Sequence, residues 1–153
     1  MIRKSRKYEL PDFLARTLDQ ATYEKWLRRR ANAHVRRDGN RANKGPVAED
    51  YRLEIHKAVR NLGGFDYYTG EELNWSLISK YNNADAKAGG RAYKRRFAYL
   101  PSVDHVGGPC DLDFRICAWQ TNDSKNDLTY REFVALCRKV IAHYEHNRAE
   151  GAE

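Results

Sequence analysis

Two short apolar runs, parted by Gly107-Gly108-Pro109 and followed at once by a helix-forming segment, constrain this chain more than any other stretch. The first run, Phe97 to Val106, predicts a strand that carries the adjacent pair Asp104-His105. Gly-Gly-Pro breaks any regular structure. The second run, Phe114 to Cys117, predicts another strand and leads into a segment of helical character bearing Asn122 and Lys125. Two strands close in sequence, a Gly-rich turn and a following helix make a ββα unit.

Side chains of such a unit can converge. A carboxylate (Asp104) and an amide oxygen (Asn122) are hard ligands, suited to Mg²⁺ or Mn²⁺ and poor for Zn²⁺. A neutral imidazole beside them, His105, can take a proton from water near pH 7. With one metal, one base and a nearby cation such as Lys125, the minimum for hydrolysing a phosphodiester is present. Neighbours on an ideal strand point to opposite faces. Asp104 and His105 therefore serve one site only where the strand twists or ends, which the Gly-Gly-Pro break permits.

The run Val103-Asp104-His105-Val106, then Asp113-Phe114-Arg115-Ile116-Cys117, then Asn122-Asp123-Ser124-Lys125-Asn126-Asp127-Leu128 resembles the HNH (ββα-metal) endonuclease family. The segment Tyr68-Thr69-Gly70-Glu71-Glu72-Leu73 resembles the hairpin upstream of the motif in many such nucleases. The resemblance implies DNA phosphodiester hydrolysis with one divalent ion, leaving 5′-phosphate and 3′-hydroxyl ends. It implies Asp104 and Asn122 as metal ligands and His105 as general base, with Lys125 facing the same side as Asn122. Many members place an Asn where Asp113 stands here, bracing the loop that holds the base. An ionised Asp accepts hydrogen bonds but donates none, so Asp113 departs from that pattern.

Charge is unevenly spread. Residues 1–50 hold 13 Lys and Arg against 7 Asp and Glu, whereas residues 51–153 hold 15 against 14. A basic front on a near-neutral body points to a polyanion surface, nucleic acid first, with a merely solvated surface as the plainer reading. Cys110, Cys117 and Cys137 form no C-x-x-C pair, so neither a structural zinc nor a disulfide framework is expected. No apolar run approaches the ~20 residues that cross a bilayer and no signal peptide is legible. The expectation is a cytoplasmic protein without a membrane partner.

One α+β domain, mostly helical around the ββα unit, is expected over 1–153: a basic arm (1–10), a helical basic region (11–64), the hairpin and ββα core (65–129), a buttressing helix (130–146) and a disordered tail (147–153). In the helical region Tyr23, Trp26, Leu27, Ala31 and Val35 recur at helical spacing. On the other faces Arg28, Arg29, Arg36 and Arg37 can pair with phosphates or simply cover the surface. His34 reads as packed rather than ligating. Tyr51, Ile55, Val59 and Leu62 make a second stripe, and Phe65 to Trp75 read as a hairpin turning at Thr69-Gly70. Ser76 to Arg96 read as polar, ending in Arg95 and Arg96 just before the first strand. Thr129 and Glu132 form a capping box for the last helix.

Double-stranded DNA is the expected partner, with any specificity coming from the arm, the Arg-rich helix or a homodimer. Two rivals stand beside the nuclease reading: a non-catalytic nucleic-acid-binding domain of the same fold, and a structural or protein-interaction domain.

Overall fold

The fold is taken from a computed structural model, which describes residues 6–39 and 47–151. Arg3 and Lys4 of the basic arm, and most of the Gly39–Gly45 segment, lie outside the described residues. What is described of the arm is tied down: Lys7 Nζ lies 2.6 Å from Glu49 Oε1, the Tyr8 hydroxyl reaches the same oxygen at 2.7 Å, and Tyr8 is buried.

Asp19 opens the first helix, α1 (Gln20–Gly39), by accepting the amide of Thr22 at 2.7 Å, which satisfies one of the orphan donors of a helix start. Of its apolar stripe, Tyr23, Trp26, Leu27 and Ala31 are buried and Val35 is half-buried against the core. α2 (Ala48–Leu62) packs beside it through Tyr51, Ile55 and Val59. Leu62, expected in that stripe, is exposed at the helix end.

The Gly-Gly-Pro break does separate two strands. β1 (Pro101–His105) pairs antiparallel with β2 (Phe114–Ala118), with Pro101 opposite Ala118, Val103 opposite Ile116 and His105 opposite Phe114. β1 is shorter than predicted because Phe97–Leu100 close tight turns, with the Leu100 amide bonded to the Phe97 carbonyl at 3.0 Å. A short helix, α4 (Trp119–Lys125), follows directly. The hairpin puts Val103, Phe114 and Ile116 into the core, where β2 meets α2 and Phe114 lies against Tyr51.

Two stretches differ from expectation. The hairpin read over Phe65 to Trp75 is a single bridge, Phe65 to Glu72, because the Asp66 carboxylate folds the chain back on itself by accepting the amides of Tyr68 and Thr69. The polar stretch before β1 contains a helix, α3 (Asn83–Arg95). Asn82 caps it by accepting from Ala84 and Asp85, and its apolar anchors, Ala86 and Tyr93, are too sparse to show a period. Gly90 breaks its regularity with φ 55.

The chain forms two compact units, Met1–Asn122 and Asp123–Glu153. In the second, the predicted capping box is present: Glu132 N donates to Thr129 Oγ1 and Thr129 N to Glu132 Oε2 at 2.8 Å. It opens α5 (Tyr130–Glu150). On this helix Leu136, Val140, Ile141 and Tyr144 are exposed, Val140 and Tyr144 both at 61%. This helix is specified locally, by its cap and by the lack of a breaker before Gly151, neither of which requires burial. For the same reason residues 147–150, expected as disordered tail, are helical. Among the described residues no helix is long and apolar enough to cross a membrane.

Candidate functional site

Alternation along β1 decides what can meet what. Val103 and His105 share the face turned to α1 and α2, whereas Ser102 and Asp104 share the other. On that second face the Asn122 amide, projecting from the first turn of α4, donates to Ser102 Oγ at 2.9 Å. Asp104, two residues along, is 5% exposed and accepts the hydroxyl of Tyr68 through Oδ2. Burial, and then this bond to Asp104, push the Tyr68 phenol well above its ordinary value.

Tyr68 is held there by Asp66. Besides the turn amides, the buried Asp66 carboxylate accepts the Ala118 amide at 2.8 Å, and the Tyr67 amide donates to the Ile116 carbonyl at 3.0 Å. The 66–69 turn is thereby fastened to β2. Asp104 and Asn122 thus lie on one face of the hairpin, through Tyr68 and Ser102 respectively.

The donor set they offer is one carboxylate and one amide oxygen, since the Asn122 NH₂ is spent on Ser102. Both are hard, and among the described residues no group of three or more His, Cys, Asp or Glu gathers as a cation cage would. Two protein donors fit Mg²⁺ or Mn²⁺, which keep several waters, and do not fit a structural zinc.

His105 lies on the opposite face. The ladder continues past it, with the Val106 amide bonded to the Asp113 carbonyl at 2.9 Å, so the strand does not twist there to turn both side chains one way. Its ring stacks on Phe114 at 5.0 Å and meets His34 edge-on at 5.8 Å, leaving the side chain 10% exposed. Nε2 donates to the Asp111 carbonyl, and Nδ1 lies 3.7 Å from Asp38 Oδ1.

Bracing of His105 is therefore done by the backbone of the 106–113 loop and by α1. Asp113, at the position where the resembled family carries its bracing Asn, pairs with Arg115 and is half exposed. The loop is itself pinned to α1: the Cys110 amide, at a left-handed φ of 71, donates to Asp38 Oδ2 at 3.2 Å. The Tyr51 hydroxyl donates to the same oxygen at 2.6 Å. Burial alone would raise the Asp38 carboxyl, but these two bonds and the neighbouring His105 and His34 together hold it below its ordinary value.

Lys125 ends α4, three residues from Asn122, is buried and belongs to the second unit. Arg28, Arg29, Arg36 and Arg37 are exposed on α1. Arg95 and Arg96 are exposed where α3 ends, Arg96 lying over the Tyr93 ring at 4.9 Å. Sequence reasoning passed over Asp38, Asp66, Ser102 and the tie from Tyr68 to Asp104. Asp38 carried one signal, its place four residues after His34 and twelve after Trp26 on the inward side of α1.

No protein-family model, curated protein or solved structure matches this chain.

Proposed function

We propose that this protein is an HNH-type endonuclease that hydrolyses phosphodiester bonds of double-stranded DNA with one Mg²⁺ or Mn²⁺. The observation that supports this reading best is the shared face of Asp104 and Asn122, one fixed by Tyr68 and the other by Ser102. A bound divalent ion supplies charge neutralisation at the phosphate and at the leaving 3′ oxygen. Asp104 and Asn122 Oδ1 would hold it.

In this reading His105 would be the general base, which requires the end of β1 to turn it toward the Asp104 face when metal and DNA bind. A carbonyl can only accept, so the bond to Asp111 keeps the proton on Nε2 and leaves the Nδ1 lone pair to receive one from water. The imidazolium so formed would stand 3.7 Å from Asp38 Oδ1. Exposed Arg28, Arg29, Arg36 and Arg37 on α1, with Arg95 and Arg96, would hold the duplex through its phosphates.

A second reading, a non-catalytic DNA-binding domain, is favoured by one observation: Asp104 and His105 occupy opposite faces of β1, and both ring nitrogens of His105 are turned to protein atoms. Incubation with supercoiled plasmid in Mg²⁺ or Mn²⁺ separates the two. The nuclease reading expects nicking and linearisation, loss of roughly 10²–10⁴-fold in rate for His105→Ala, and no cleavage by Asp104→Ala. Salt-sensitive DNA binding by a folded wild-type protein that cuts in neither metal would leave the second reading standing.

A further inference from the structure

A cavity of about 400 Å³ opens to solvent within the Met1–Asn122 unit, between the turn at Asp12–Leu14, the 64–77 segment and the chain just after α3. Small-molecule sites ordinarily run from roughly 300 to 1,000 Å³. None of Asp104, His105 and Asn122 lines this one. Its buried lining is Leu14, Leu73 and Trp75. Trp75 is fixed by donating Nε1 to the Gly63 carbonyl, and its ring meets that of Phe13 edge-on at 6.3 Å. Two backbone bonds tie the walls together, Leu73 N to Gly64 O at 3.0 Å and Asn74 N to Tyr99 O at 2.9 Å. The cavity is therefore formed before anything enters it.

Two of its aromatic residues are left unfinished by the fold: Phe13 is 46% exposed and Tyr99 38%. Its polar residues are unfinished too. Glu72 and Arg96 line the same cavity with opposite charges, yet among the described residues neither takes part in an ion pair. Arg96 lies over the Tyr93 ring at 4.9 Å, with its N–H groups unspent. Asn74 uses Oδ1 on the Ser76 amide at 3.2 Å and hydroxyl at 2.6 Å, which leaves its NH₂ to donate. The set is a carboxylate that accepts two hydrogen bonds, an amide and a guanidinium that donate, and flat apolar faces. A planar heterocycle with two adjacent N–H donors, a neighbouring acceptor and an attached anion matches all of it. Among nucleotides that is guanine: N1–H and the N2 amino group stand side by side, with O6 next to them. Adenine and cytosine each carry a lone pair where guanine has N1–H, and a carboxylate rejects it.

We propose that this cavity binds a guanine nucleotide presented as an unpaired base of the nucleic-acid substrate. The base edge meets Glu72 and Asn74, its face meets the Phe13 and Tyr99 rings, and its phosphate meets Arg96. That the nucleotide belongs to nucleic acid rests on the function proposed above; the cavity and its donors and acceptors do not.

The test uses the full chain near neutral pH. Calorimetric titrations with dGMP, dAMP, dCMP and deoxyguanosine are run beside binding of short labelled duplexes that are fully paired or carry one bulged guanine or one bulged adenine. Wild type is expected to bind dGMP at least roughly tenfold more tightly than dAMP or dCMP, and the guanine bulge more tightly than the other two duplexes. Glu72→Gln, at an exposed residue, should erase the preference for dGMP. Arg96→Met should weaken dGMP while leaving deoxyguanosine as in wild type, and Tyr99→Leu should weaken every nucleotide by roughly fivefold or more. Absence of dGMP binding, equal binding of the three nucleotides, or a Glu72→Gln variant that still prefers dGMP overturns the proposal. Should Glu72→Gln fail to fold, an Arg96→Met variant with the wild-type ratio of dGMP to deoxyguanosine affinity overturns it equally. A preference for dGMP with all three duplexes bound alike overturns the nucleic-acid source and leaves a free guanine nucleotide as the ligand. Plasmid cleavage on the same samples keeps the two readings apart. A wild type that binds dGMP through Glu72 but cuts in neither metal overturns only the nuclease, and one that cuts without binding dGMP overturns only the nucleotide cavity.

Discussion

The hydroxyl of Tyr68 donates to Oδ2 of Asp104 across 36 residues of chain, joining the 66–69 turn to the polar face of the hairpin. A buried carboxylate that loses a charge-assisted donor is left with part of its desolvation cost uncovered. Tyr68→Phe should destabilise the fold by about 1.5–3 kcal/mol, read as a lower urea midpoint with an unchanged slope. A midpoint equal to wild type would show that this bond contributes nothing to Asp104.

Asp66 has no exposed surface to fall back on, and three backbone amides depend on it. Asp66→Ala should cost about 3 kcal/mol or more, since the donors it leaves behind are unsatisfied. The loss should be local first. Amide exchange at Tyr68, Thr69 and Ala118 is expected to speed up under conditions where the α1 core remains protected, and uniform exchange across the chain would argue against this anchoring.

Ser102 holds the amide of Asn122 by a single contact. Under the nuclease reading, Ser102→Ala should leave the fold intact and raise the Mn²⁺ concentration needed for half-maximal cleavage by about 10–100-fold, as loss of a partner that orients a ligand generally does. An unchanged metal requirement would mean that Asn122 is oriented by something else or is not a ligand.

Acid should weaken the protein in two stages. His34 is held down to about 4, chiefly by burial, from an ordinary value near 6.5, so between these values the unfolded chain binds the proton that the folded one refuses. Stability is therefore full above pH 6.5 and falls by about 3 kcal/mol as the pH drops to 4. His56, likewise held down by burial, acts in the same direction. Asp38, held below its ordinary 3.8, contributes stability that is lost only further down. Urea midpoints from pH 7 to pH 3 should show both stages, and His34→Phe should flatten the upper one.

The parts of this fold legible beforehand are those with a repeating local cause. The α1 and α2 stripes, the two strands around Gly107-Gly108-Pro109, and the Thr129–Glu132 cap all follow from periodicity, breakers or capping chemistry. What stayed hidden depends on side chains meeting across long stretches of chain. Asp38 and Cys110 stand 72 residues apart, and Asp66 and Ala118 stand 52 apart. Nothing in either neighbourhood announces the other. The placement of Asp104 with Asn122 could be read from strand and helix order, whereas the placement of His105 against α1 depended on the ladder continuing one residue further than a Gly-Gly-Pro break suggests.

The Asn74 amide bonds to the Tyr99 carbonyl at 2.9 Å, so the chain leaves for α3 and comes back at nearly the same point. Closing a longer excursion from a fixed doorway adds little entropy, only about 0.6 kcal/mol for each doubling of its length. Segments grafted into this excursion away from Tyr81, Tyr93 and Phe97, whose rings pack on one another, should therefore leave the strand register and the Asp104 face undisturbed. Evolution or an engineer could change the reach of this protein there without touching its chemistry.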